Sequence, residues 1–148
     1  MTDLRQTAEA AARAGGDVLR HHAGRVTGLR TKSGTADMVS AADIASGIAT
    51  VSTIARTLPE ARFVVEEPEV YELAGVTPGT LGDDEVWVID PLDGTTSFVH
   101  AYPCWSVSVA CLRQGRPVAV AVYNVPANEM VSAAEGEGAT LDGARLMC

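Results

Sequence analysis

Val86-Trp87-Val88-Ile89-Asp90-Pro91-Leu92-Asp93-Gly94-Thr95-Thr96-Ser97-Phe98 is the stretch around which the rest of this chain is organised. The apolar, strand-forming run Val86 to Ile89 ends in Asp-Pro, which delivers a carboxylate at the mouth of a buried strand. A second carboxylate, Asp93, follows three residues later, and behind it stands Gly94-Thr95-Thr96. A glycine and two hydroxyl residues opening a short helix aim backbone N–H groups at an incoming anion. Hard cations such as Mg²⁺ bind one or two protein carboxylates together with substrate phosphate and water. The stretch therefore offers both halves of a metal-assisted phosphate site. Asp-Pro and Asp-Gly are also ordinary turn chemistry, so Asp90 and Asp93, each taken alone, read equally as an Asx-turn residue or a helix N-cap.

Asp90-Pro91-Leu92-Asp93-Gly94-Thr95-Thr96-Ser97-Phe98 resembles the signature of the inositol monophosphatase family, metal-dependent phosphatases acting on small phosphomonoesters. The resemblance implies that Glu66, Asp90, Asp93 and the Leu92 carbonyl hold Mg²⁺. It also implies that Gly94 and Thr95 bind the phosphate. Asp43 would orient the Thr95 hydroxyl, so that a metal-activated water attacks in line. Ser97 stands where the family often has asparagine. No nucleophile flanked by its own base is evident, so no covalent phosphoenzyme is expected.

Composition agrees with that chemistry. The 148 residues, 47% of them hydrophobic, suit a single globular domain. No run of about 18 apolar residues suggests a membrane span, and Met1-Thr2-Asp3-Leu4-Arg5 lacks a secretory pattern. A cytoplasmic protein without a membrane partner is expected. The net charge of −8 argues against a nucleic-acid surface, and an acidic chain handling an anionic substrate needs bound cations to attract it. The three cysteines, Cys104, Cys111 and Cys148, form no C-x-x-C pair and suggest neither disulfide nor zinc. Cys104 and Cys111 lie in an apolar run and read as buried thiols.

Leu4, Ala8, Ala11, Ala12, Gly15, Val18 and Leu19 recur at helical spacing, predicting an amphipathic helix over 3–22 with His21 and His22 at its basic end. Residues 24–40 read as loop, rich in Gly, Ser and Thr. They contain Lys32, the chain's only lysine, which is either a solvated loop residue or, by the resemblance, a contact on a loop over the metal site. A second helix is predicted from Ser40, as N-cap, to Pro59, with Asp43 in its first turn, where the helix dipole favours a carboxylate. Asp37-Met38-Val39-Ser40-Ala41-Ala42-Asp43 is also similar to a family stretch whose second aspartate pairs with the signature threonine. Gly47 stands where a glutamate is common in the family, at a helix cost of about 1 kcal/mol relative to alanine.

Arg62 to Val65 reads as a short buried strand ending in Glu66-Glu67-Pro68. Those glutamates are either a polar loop or, by resemblance to a family Gly-Glu-Glu motif, a metal ligand at Glu66, with Val65 in place of the glycine. Residues 68–85 carry no periodicity and read as an exposed, mobile connection. The runs 104–112, 117–125 and 129–134, separated by turns, predict an antiparallel meander, with a short further strand among the turns at 136–143. The predicted fold is α+β: two N-terminal helices packed on a mostly antiparallel sheet of about six strands.

Members of the resembling family are nearly twice as long, so residues 1–148 match an N-terminal half. If the chain is the whole protein, a third metal-ligand aspartate and the residues reading substrate hydroxyls are missing. An apolar face is then left exposed for homodimerisation or another chain. The function expected is Mg²⁺-dependent hydrolysis of a small sugar- or inositol-phosphate. Histidinol phosphate, 3′-phosphoadenosine 5′-phosphate and fructose 1,6-bisphosphate are related substrates that similar motifs would serve. The alternative is a non-catalytic metal- or phosphate-binding half-domain.

Overall fold

The computed structural model describes residues 2–26 and 32–147, and the side chains of residues 26 and 32–37 lie outside that description. Two long helices come first, α1 (Leu4–Val26) and α2 (Lys32–Thr57). They are followed by β1 (Arg62–Val64), α3 (Pro68–Ala74), β2 (Thr77–Pro78), β3 (Val86–Asp93) and the one-turn α4 (Thr95–Val99). The meander β4 (Ser106–Arg113), β5 (Arg116–Asn124), β6 (Glu129–Ala134), β7 (Gly138–Leu141) and β8 (Ala144–Arg145) completes the described chain. All eight strands form one sheet in the order β2-β1-β3-β4-β5-β6-β7-β8. The pairs β2–β1 and β1–β3 are parallel, and every pair from β3 onward is antiparallel.

Alternation along the strands decides which face is the core. Val107, Val109 and Cys111 of β4, Ala119, Ala121 and Tyr123 of β5, and Met130 and Ser132 of β6 are buried under the helices. Their small members allow the alanine face of α1, Ala8, Ala11 and Ala12, to approach closely, and all three are fully buried. Trp87, Phe63, Phe98 and Tyr123 supply the bulk of this core. Each fully buried large side chain contributes roughly 1.5–3 kcal/mol relative to exposure. The opposite sheet face carries no helix among the described residues, and Val122 and Val131 are each 40% exposed there.

Five expectations change. The second helix begins at Lys32, so Ser40 is interior to it and Asp43 sits three turns in. Met38–Thr57 has a mean hydropathy of 1.4 and is long and apolar enough, by length and composition, to cross a membrane. In the fold it is a core helix packed between α1 and β3. Residues 68–85 are not structureless: Pro68 opens α3 at its first position, Gly75 ends it in the left-handed conformation, and Thr77–Pro78 pairs with β1. Finally β3 runs through Pro91 to Asp93, and Cys104 is exposed ahead of β4 while Cys111 is buried.

Candidate active site

Parallel pairing of β1 with β3 is what brings the acidic residues together. Val64 is in register with Val88, so Glu66, two residues past β1, and Asp90, two residues further along β3, are carried to the same end of the sheet. Phe63 and Val65 are buried under the helices; beyond them Glu66 is exposed, and Glu67 is half-buried close to Asp43 of α2. Beyond Asp90 the β3–β4 register slips: Asp90 faces Ser108, and Asp93 faces Ser106. One extra residue is thus inserted on β3, a bulge that accommodates Pro91, which has no N–H to give a ladder.

From the other side α2 holds the bulge in place. Asp43, Ser46 and Gly47 share one helix face by their spacing of three and four. Ser46 Oγ donates to the Pro91 carbonyl at 2.8 Å, in a buried hydrogen bond. A Cβ on Gly47 would stand 2.9 Å from Val70 Cγ2 and 3.3 Å from Pro91 Cγ, so the missing side chain admits α3 and the bulge to the helix surface. Neither Ser46 nor the purpose of Gly47 was found by reading the sequence, although the i, i+3, i+4 spacing from Asp43 carried the signal.

Asp90 serves partly as the turn chemistry suggested: its Oδ1 accepts the Leu92 N–H at 3.3 Å, closing an Asx turn. Burial raises its pKa, the Asp93 carboxylate raises it further, and the Leu92 N–H opposes both. Asp43 is pushed up to about 7, first by burial and then by the Glu67 carboxyl facing it, with Asp90 and Glu66 adding to the effect. The hydrogen bond expected between Asp43 and Thr95 is not among those the described residues make. Asp43 faces Glu67 instead, and each carboxylate disfavours charge on the other. Asp43 Oδ1 and Glu67 Oε2 are buried without a partner.

Gly94 stands ahead of α4 at φ +90°, and a Cβ there would lie 2.6 Å from the Cys104 carbonyl oxygen. The first α4 bond runs from the Phe98 N–H to the Gly94 carbonyl at 2.9 Å, so the N–H groups of Thr95, Thr96 and Ser97 precede it. Thr95 is exposed at the first position of the helix. The Lys32 side chain lies outside the described residues.

Glu66, Asp90 and Asp93 occupy one end of the sheet, yet among the described residues no three Asp, Glu, His or Cys side chains converge closely enough to form a metal cage as they stand. Like charges hold such carboxylates apart. The donor set nevertheless suits a hard divalent cation. It is all oxygen; beside it Asp43 Oδ1 and Glu67 Oε2 are buried without a partner, and the burial and carboxylate repulsion that raise Asp43 and Asp90 are what a positive ion would relieve.

The model of the inositol monophosphatase family matches residues 1–148. The chain belongs to that family. Nus factor SuhB of Escherichia coli K12 is 37% identical over 116 residues, 78% of this chain and 41% of its own length. Inositol monophosphatase 2 of Solanum lycopersicum is 32% identical over 143 residues, covering 97% of this chain and 52% of its own length. The crystal structure of the extragenic suppressor protein SuhB of Bartonella henselae superimposes with a TM-score of 0.78 at 28% identity, over 97% of this chain and 53% of that one. The chain thus spans about half the length of the relatives it matches. Family membership makes its ancestry that of metal-dependent phosphatases, and the two-helix, mostly antiparallel architecture is the family's own.

Proposed function

We propose that this chain carries the metal- and phosphate-binding part of a Mg²⁺-dependent phosphomonoesterase acting on a small sugar- or inositol-phosphate. What supports the reading is that Glu66, just past β1, and Asp90 and Asp93, in the second half of the β3 strand paired with it, lie at the same end of the sheet as the Gly94–Thr95 turn. Glu66, Asp90, Asp93 and the Leu92 carbonyl would hold the cations. When bound, such ions neutralise phosphate charge and lower the pKa of water. The chain's own part is positional. The N–H groups of Gly94 and Thr95 fix the phosphate oxygens. The Thr95 hydroxyl orients the attacking water, and Asp43 with Glu67 holds the proton it gives up. Ser46 and Pro91 keep the two aspartates at fixed separation.

The test is Mg²⁺-dependent phosphate release from inositol 1-phosphate by the 148-residue chain, beside Asp90→Asn and Asp93→Asn, with light scattering on the same samples. Release that is lost in both variants supports the reading. Scattering reports whether copies associate through the uncovered sheet face, the mode of assembly proposed for this chain. Folded protein that binds Mg²⁺ without releasing phosphate would favour the second reading, a non-catalytic binding domain. That reading draws support from relatives named as Nus factors. Asparagine in both positions leaving the Mg²⁺ response unchanged would remove the assignment altogether.

A further inference from the structure

Between β1 and α3 the chain carries Glu66 and Glu67, and one side chain ties the two elements together. Tyr71 of α3 folds back onto the end of β1. Its hydroxyl oxygen accepts the Val65 N–H at 2.7 Å, and the carbonyls of Val65 and Phe63, at 3.1 and 3.2 Å, share its proton. The sheet explains why a hydroxyl belongs there. The Gly79 N–H donates to the Phe63 carbonyl at 2.8 Å, so that side of β1 faces β2. Val65, two residues on, turns its own N–H and carbonyl to the same side. β2 supplies no further rung: it ends at Pro78, and beyond Gly79 the Thr80 N–H goes to Asp83 Oδ2 at 2.9 Å. Tyr71 stands where the next rung of the ladder would be.

Two further contacts keep Tyr71 in place. Its neighbour Val70 is fully buried and packs against α2 at Gly47, and the Tyr71 carbonyl accepts the Gly75 N–H that caps α3. The Val65 carbonyl belongs to the peptide unit that leads into Glu66. The hydroxyl therefore holds the backbone of a candidate metal ligand directly, from an element that is itself anchored to α2.

We infer that Tyr71 is a positioning residue for the cation site: its hydroxyl fixes the peptide ahead of Glu66 and so sets where that carboxylate meets an ion shared with Asp90 and Asp93. The inference rests on the metal-site reading above. The test compares Tyr71→Phe, which removes the hydroxyl and keeps the ring, with Leu73→Ala at an exposed position of the same helix. Melting curves verify folding, calorimetry measures Mg²⁺ affinity, and deuterium exchange is followed at the Val65 amide. In chelator-treated buffer Tyr71→Phe should speed Val65 exchange about tenfold. It should also weaken Mg²⁺ binding about tenfold, as loss of a group that orients a ligand does. Leu73→Ala should leave both within about twofold of the unaltered chain. Folded Tyr71→Phe with unchanged Mg²⁺ affinity makes the hydroxyl a structural tie only and overturns the inference, while the metal site stands. Equal loss of affinity in Leu73→Ala overturns it in the same way. Should Tyr71→Phe fail to fold, the unaltered chain decides: reciprocity requires Mg²⁺ to slow Val65 exchange, and no slowing overturns the inference. Failure of the unaltered chain to bind Mg²⁺ overturns the metal-site reading as well.

Discussion

Asp43 faces Glu67 across a buried gap, and its protonation follows from that pairing. Its folded-state pKa, about 7, stands above the ordinary 3.8, so the folded chain binds this proton more readily than the unfolded chain does. The stabilisation is complete below about pH 4 and is lost as pH rises through 7. In chelator-treated buffer the melting temperature should therefore rise by a few degrees from pH 8 to pH 5, and Asp43→Asn should flatten that slope and melt higher at pH 8. Mg²⁺ should raise the melting temperature most at pH 8, where the carboxylates are charged. The cysteines make a second contrast: burial pushes the Cys111 thiol up to about 12, whereas Cys104 is exposed. Iodoacetamide at pH 8 should modify Cys104 within minutes and Cys111 only after denaturation, read by peptide mass. Asp90, Asp93 and Gly94 could be named as candidates from the sequence because the turn chemistry that suggests them is local. Glu67 was passed over for Glu66, because which of two adjacent glutamates lies close to the helix depends on how the chain leaves a three-residue strand.

At the scale of elements, α2 is the part least visible from sequence. Its first turns are Gly-, Ser- and Thr-rich, which local propensity reads as loop, yet they continue a helix whose body packs against α1 and β3. The cost assigned to Gly47 is met by the close approach of Val70 and Pro91. Ser46→Ala should remove one buried hydrogen bond and leave the Pro91 carbonyl unanswered, destabilising the chain by about 1–3 kcal/mol in urea titration. A structural role confined to α2 would leave Mg²⁺ affinity untouched; the bond to the bulge predicts that affinity falls with stability. Gly94→Ala should cost about 1–3 kcal/mol, since the new Cβ meets backbone that cannot swing away. The helix α3 went unread because it is seven residues long and shows one buried side chain, Val70, too little for periodicity to register.

Across the whole molecule, two helices on one face of a mostly antiparallel sheet were legible from periodicity and turn spacing. The eight-strand count was not, since β2 and β8 are two residues each. The parallel step from β1 to β3 was also invisible, because alternation does not reveal strand direction.

That step has a consequence for how the chain acquires its chemistry. The meander from β4 to β8 closes through short turns and can zip up hairpin by hairpin, whereas β1 must travel over α3 and β2 to find β3. Folding would then proceed in two movements, with the acidic pocket formed only in the second. Backbone amides of β4 and β5 should be the slowest to exchange with deuterium. Those of β1 should exchange through a cheaper, partial opening, and added Mg²⁺ should slow β1 far more than β5. On this view a metal ion acts as the clasp of the late-arriving strand.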